Sequence, residues 1–200
     1  MEGQQGTKSY YDSVSNRRYV TLTPGDAGIN ARSHIMEVDP DLHLPTAAYY
    51  IAGLDNRTSL IAINRWLYMF NPIVANGTET AMSGARLNMD TKVVEYISLT
   101  GTILSYPAYS NDAVPGFFNG TDIIRWAYRT EPNTLYKTNL LPIGGSGTLA
   151  RPWILNQSTI NLPISGIPNT LYHYTLQYDA DWKVLLIPAS STAGYWALRF

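Results

Sequence analysis

The chain of 200 residues contains no cysteine. Disulfides, thiolate zinc sites and cysteine nucleophiles are therefore excluded. Charge is scarce too: 14 Lys and Arg against 15 Asp and Glu make up 14% of the residues, where about a quarter is usual. With a formal net charge of -1, there is no concentrated basic field to bind phosphate backbones regardless of sequence. There is also little charge to hold copies of the chain apart. Histidine is limited to His34, His43 and His173, and no G-x-S-x-G elbow supplies a serine nucleophile. No apolar run reaches the ~18 residues of a membrane span, and the first residues, MEGQQGTKSYYDSVSNRR, lack the apolar core of a secretory signal. The expectation is a protein made in the cytoplasm without a signal peptide or membrane span. Asn56, Asn76, Asn119 and Asn156 begin N-x-Ser/Thr patterns, which a chain rich in Asn and Thr meets by chance.

Local concentrations of chemistry are few. RSHIMEVDPDLHLP gathers carboxylates and imidazoles, and in an extended chain Glu37, Asp39 and Asp41 fall on one side. They form a candidate cation site, although the spacing is not that of an EF-hand. The alternative is a strand from Ile29 to Val38 running into a solvated acidic loop at Asp39-Pro40, and we take that as the expectation. Asp179 and Asp181 are close enough in sequence to act as a carboxylate pair, but read more simply as a turn. The glycines of Gly144-Gly145-Ser146-Gly147 are not followed by Lys-Ser/Thr and open no helix, so they are no phosphate loop. The chain is read as no enzyme, with no cofactor.

What is present is β-pattern and aromatic surface. TLYHYTLQYDADWKVLLIP alternates with a period of two, its even positions from Tyr172 to Leu186 apolar or aromatic, so one face is expected to be core, Trp182 included. Length alone implies a turn near Asp179 to Asp181. TSLIAINRWLYMF, Thr58 to Phe70, is apolar on both alternating sets and is expected to lie between two layers. KVVEYISLTGTIL has strand composition, and TDIIRWAYRTEP alternates Ile124, Trp126 and Tyr128 with Arg125, Ala127 and Arg129. Further strands are expected at Arg18 to Thr23, Ala47 to Ala52, Trp153 to Leu162 and Gly194 to Phe200. Clusters of Pro, Gly, Asn and Asp separate these segments, and the best helical window, Thr78 to Leu87, is weakened by Gly84. The fold class is therefore all-β: a single-domain antiparallel β-sandwich over 17–200, with a jelly roll favoured, preceded by an N-terminal arm or clamp over 1–16.

Fifteen Tyr, 5 Trp and 4 Phe suit surfaces that are dry at one end and hydrogen-bonded at the other, as at subunit interfaces or sugar platforms. Tyr10, Tyr11, Tyr106, Tyr109, Phe117 and Phe118 lie in terminal or loop-like stretches and are the candidate interface residues.

MSGARLNMDTKVVEYISLTGTILSY, TDIIRWAYRTEPN and TLYHYTLQYDADWKVLLIP resemble, in style and order over roughly Arg17 to Pro188, the jelly-roll coat proteins of small icosahedral single-stranded DNA or RNA viruses. The resemblance implies a self-assembling capsid subunit found in the virion, with copies of itself as partners and a viral genome bound weakly. Such proteins commonly begin with a long basic arm. Here the first 32 residues offer only Lys8, Arg17, Arg18 and Arg32, the candidate nucleic-acid contacts, against Glu2, Asp12 and Asp26. The alternative function is a carbohydrate-binding module or lectin using exposed aromatics.

Overall fold

The computed structural model describes residues 9–22, 34–51, 59–70, 84–101, 116–126, 134–163, 177–188 and 194–199. Over these the chain is all-β, as expected, with fifteen strands and no helix, and hence no helix able to cross a membrane. Strands β1 (Ser9–Asp12), β2 (Arg17–Leu22), β3 (His34–Asp39) and β4 (Leu44–Tyr50) form one antiparallel sheet. The second sheet has eight strands: β5 (Ser59–Ile63), β6 (Trp66–Phe70), β7 (Gly84–Asn88), β8 (Val94–Gly101), β9 (Gly116–Phe118), β10 (Asp122–Trp126), β11 (Thr134–Asn139) and β12 (Trp153–Asn161). The third contains β13 (Gln177–Asp179), β14 (Val184–Pro188) and β15 (Tyr195–Arg199).

The large sheet is two antiparallel meanders, β5 to β8 and β9 to β12, joined by a parallel seam between β8 and β12. It curls until its edge strands β5 and β9 lie side by side. The approach is close enough that a Cβ on Gly116 would stand 3.2 Å from Ile61 Cδ1 and 2.9 Å from the Ile124 carbonyl oxygen. Glycine at 116 lets β9 sit there. A jelly roll interleaves strands distant in sequence throughout. In the described strands that interleaving is confined to the β8/β12 seam and the meeting of β5 with β9.

Curling gives the large sheet an inside and an outside, and both are apolar. Inside pack Ile61, Ile63, Tyr68, Phe70, Ile97, Leu99, Ile123 and Leu155. Outside, Leu60, Leu67, Met69, Ala85 and Leu87 of the first meander pack against Tyr10, Tyr19 and Ile35 of the four-stranded sheet. On the second meander Phe117, Ile124, Trp126 and Leu135 pack against Tyr178, Leu185 and Ile187 of the three-stranded sheet. Thr58 to Phe70 thus lies between two layers, as its double apolar pattern requires. It is a hairpin rather than one strand, because Asn64 and Arg65 both adopt positive φ (48° and 66°), the signature of a two-residue type I′ turn.

Four other hairpins share one device. Asp12, Asp39, Asn88 and Asp179 each accept backbone N–H groups of the turn, as Asp and Asn do in such turns. Four residues further on, Asn16, His43, Lys92 and Lys183 take φ between 49° and 63°. The stretches DSVSN, DPDLH, NMDTK and DADWK are one motif in four spellings.

That motif corrects the reading of the last hairpin. Asp179 pairs with Val184 and Tyr178 with Leu185, so the partner numbers add to an odd total and the face changes parity across the turn. Tyr178 is buried among even positions, but beyond the turn the odd-numbered Leu185 and Ile187 are buried, while Trp182 stands at the hairpin tip, 69% exposed. Phe117, expected on a surface loop, is fully buried in β9 and stacks on Tyr178 with ring centroids 4.3 Å apart.

Phe117→Ala should therefore cost about 3–5 kcal/mol of stability, as for other buried aromatics, and Trp182→Ala under about 0.5 kcal/mol. Urea unfolding of the two variants checks this; equal losses would contradict the assignment of faces.

Candidate functional site

The acidic stretch is a structural joint. β3 pairs regularly with β2, so Glu37 and Asp39 keep the common side that alternation predicts; the register shift opposite Glu37 and Val38 leaves Thr46 of β4 as the extra residue. Glu37 is buried and accepts hydrogen bonds from Lys92 Nζ (2.7 Å), Tyr49 Oη (2.8 Å) and Thr46 Oγ1 (3.3 Å). Lys92 Nζ also donates to Tyr19 Oη at 2.8 Å and lies 5.2 Å from that ring's centroid. Asp39 caps its turn and pairs with Arg17 Nη1 at 3.1 Å, and Arg17 Nε stands 3.5 Å from Glu37. Asp41 accepts a bond from Asn16 Nδ2. The cations held by Glu37 and Asp39 are thus the chain's own Lys92 and Arg17, and among the described residues no three metal-ligating side chains converge. His43 is exposed in the turn, and His173 lies outside the described residues.

A second joint lies nearby. Arg65 donates through Nη1 and Nη2 to the buried Asp12 (2.5 and 2.9 Å) and through Nε and Nη2 to Asp90 (3.1 and 2.6 Å). Arg65 and Lys92 are both turn residues of the large sheet at positive φ. Each reaches across to a carboxylate of the four-stranded sheet, so the two bridges clamp that sheet onto the first meander.

The clamps set the charge states. Burial pushes the Asp12 and Glu37 carboxyls up, but the hydrogen bonds from Arg65 and Ser15, and from Lys92 and Tyr49, outweigh it and leave both below the ordinary carboxylate value. Arg65 likewise holds Asp90 down. Burial and the bond to Glu37 push the Tyr49 hydroxyl up to about 12. Because the folded values are depressed, these carboxylates contribute stability that is fully present above about pH 4 and is lost as pH falls through the folded values.

Inside the curled sheet are polar groups that alternation alone does not reveal. Arg125, paired across the strands with Gly116 and Tyr136, is fully buried, with its guanidinium 4.6 Å from the Phe70 ring centroid. Its Nη2 donates to Gln157 Oε1, which also accepts from Thr138 Oγ1 at 3.1 Å. Burial lowers its pKa to about 10, so it is charged at neutral pH. On the same face of the sheet Arg86 lies over the Trp66 ring at 4.3 Å and donates to Glu95 at 2.7 Å. Glu95 also accepts from Trp153 Nε1 at 2.9 Å. Gly147, with φ of 77°, lies against Trp153, where a Cβ would come within 2.5 Å of Nε1. Its glycine belongs to packing. Glu95, the one carboxylate in these two clusters, is thus committed to both a cation and an indole.

Of the candidate interface residues, Tyr10 is buried with Tyr19, Phe117 is core, and Phe118 is half-buried against the interior of the large sheet. Tyr11 is exposed and donates to Asn16, while Tyr106 and Tyr109 lie outside the described residues. Of the candidate nucleic-acid contacts, Arg17 is engaged with Glu37 and Asp39, Arg18 is exposed, and Lys8 and Arg32 lie outside the described residues. Apart from Tyr11, the exposed large apolar groups are elsewhere, among them Val14, Leu42 and Leu44 at the turns of the four-stranded sheet and Trp182 at the tip of its own hairpin. Leu141 and Ile143 are 76% and 66% exposed, Leu149 and Ile154 accompany them, and Tyr195 and Trp196 stand out of β15. The flanking of GGSG by Leu141, Ile143 and Leu149 is the sequence signal for the Leu141 group.

No family model and no curated protein matches the chain.

Removing a clamp should be costly because it strands a buried carboxylate. Lys92→Met is expected to destabilise by about 1–3 kcal/mol, and adding Glu37→Gln should recover part of that loss. Arg65→Ala should lower the thermal midpoint at pH 7 and flatten its fall below about pH 4; an unchanged pH profile would contradict the clamp.

Proposed function

We propose that the chain is a structural, self-assembling β-sandwich subunit, a coat protein of a small virus that functions in the virion. The observation that carries this reading is the loop from Leu141 to Pro152. It is held by backbone bonds from Ile143 N to the Ile154 carbonyl (2.9 Å), Ile154 N to the Gly144 carbonyl (2.9 Å), Ser146 N to the Arg151 carbonyl (2.9 Å) and Tyr96 N to the Gly147 carbonyl (2.8 Å). A loop fixed in this way holds Leu141, Ile143 and Leu149 in water. Several large apolar side chains exposed on one fixed loop are what a contact surface needs, and obligate assemblies commonly bury above about 2,000 Å². A surface this poor in charge opposes association little. The mechanism is mechanical: the doubly covered sheet is a stiff body, and its exposed loops meet neighbouring copies. Genome binding would be weak, because Arg17 is already neutralised by carboxylates.

A carbohydrate-binding reading draws on Trp182, an indole held at a capped hairpin tip and well exposed, since flat aromatic faces suit sugar rings.

Sedimentation and negative-stain electron microscopy separate the two. The wild type should form shells, filaments or discrete oligomers. Leu141→Ser with Ile143→Ser and Leu149→Ser should give folded but smaller species. Monodisperse monomers at micromolar concentration would contradict the assembly reading. Retention on a glycan column that Trp182→Ala abolishes would favour the other.

A further inference from the structure

Four described strands lie on the outer edges of the two cover sheets, and three are blunted against pairing. β1 is short and ends on the inward-facing, buried Asp12. β4 contains Pro45, which has no N–H to donate, opposite the register shift at Glu37/Val38. β13 has three residues and exposes Asp179. Short edges, inward charge, proline and bulges are the means by which natural sheets avoid edge-to-edge association. β15 has none of them: Tyr195-Trp196-Ala197-Leu198-Arg199 is a regular strand, paired with β14 over its whole length, with every side chain exposed except the half-buried Leu198.

We infer that β15 is a seam between two copies of this chain, pairing antiparallel with itself about a two-fold axis at Ala197. This rests on the assembly reading above and names one of its contacts. An edge strand with one side unpaired among the described strands offers alternate backbone N–H and C=O groups, which only another extended segment can satisfy. The side chains select the copy. About Ala197 as centre, Trp196 meets Leu198 of the second chain and Tyr195 meets its Arg199. Leu198 and Trp196 lie opposite the buried Leu185 and Ile187, so they share the face that packs on Phe117 and Trp126. A second copy would extend that apolar core across the seam, where it is now open at Trp196. On the other face an aromatic ring would meet a guanidinium, a favourable cross-strand pair. The smallest residue of the strand falls on the axis, where two identical side chains must sit together. The pattern is its own complement, as a two-fold contact requires.

The absence of cysteine from the chain allows a direct test in the chain as it stands. Directly opposed residues of an antiparallel pair have Cα atoms about 4.5–5.5 Å apart, within disulfide range. Ala197→Cys under mild oxidation should yield a reducible covalent dimer as the main species. Thr121→Cys, exposed in the turn between β9 and β10, should remain at background, and so should Tyr195→Cys alone. Tyr195→Cys combined with Arg199→Cys should cross-link. Ala197→Lys, which adds a charge on the axis, should leave circular dichroism unchanged and reduce the sedimentation coefficient. An assembling wild type whose Ala197→Cys cross-links no better than the control, or whose Ala197→Lys assembles normally, would overturn the seam and leave the assembly reading standing. A monomeric wild type would overturn both.

Discussion

The eight-stranded sheet cannot tolerate water on either face, and the rest of the molecule follows from that constraint. Strand β10 is buried at every position, and β5 and β6 place Leu60, Leu67 and Met69 on one side and Ile61, Tyr68 and Phe70 on the other. Burying one such side chain is worth roughly 1.5–3 kcal/mol, so both sides must be covered. Curling covers the inner face with the sheet itself. The outer face is then divided between two separate covers, the four-stranded sheet over the first meander and the three-stranded sheet over the second. The first cover is riveted at Arg65 and Lys92, which stand on adjacent turns of the large sheet and reach Asp12 and Glu37 of the cover. The second has no such ion pair among the described residues, and of its two edges, β13 and β15, the longer is β15.

A chain with so little charge spends it on joints. Asp12, Glu37, Asp39 and Asp90 each meet a cation from another strand or turn, and what remains outside is largely neutral and, on the 141–154 segment and on β15, apolar. It is this neutral and partly apolar exterior on which the proposed assembly rests.

Period-two alternation was enough to read an all-β chain and to place Thr58 to Phe70 between layers, because an apolar run on both parities has no other stable home. It failed where a loop changed the count. Trp182 read as core because the alternation continued unbroken through DADWK; length implied the turn near Asp179 to Asp181 but not that its four residues shift parity, which the recurrence of the same motif in DSVSN, DPDLH and NMDTK reveals. The alternation of Ile124 and Trp126 with Arg125 gives no sign that Arg125 is buried too. Inside a curled sheet the opposite parity is buried as well, and a cation there is supported by Phe70 and Gln157, which lie far off in sequence. Phe117 read as a presented loop residue because Pro115-Gly116 and Asn119-Gly120 flank it, but Gly116 serves close strand approach and Asn119 caps a tight turn. Strand order was not legible, since a period of two fixes faces and not neighbours.

Native-state hydrogen exchange tests the central claim, that the doubly buried sheet is the body to which the other two are attached. Amides exchange according to the free energy of the opening that exposes them. The account predicts the slowest exchange in β6, β7, β10 and β11, exchange only by global unfolding there, and earlier sub-global opening of β1 to β4 and of β13 to β15. Slower exchange in either cover sheet than in β6 and β10 would contradict it.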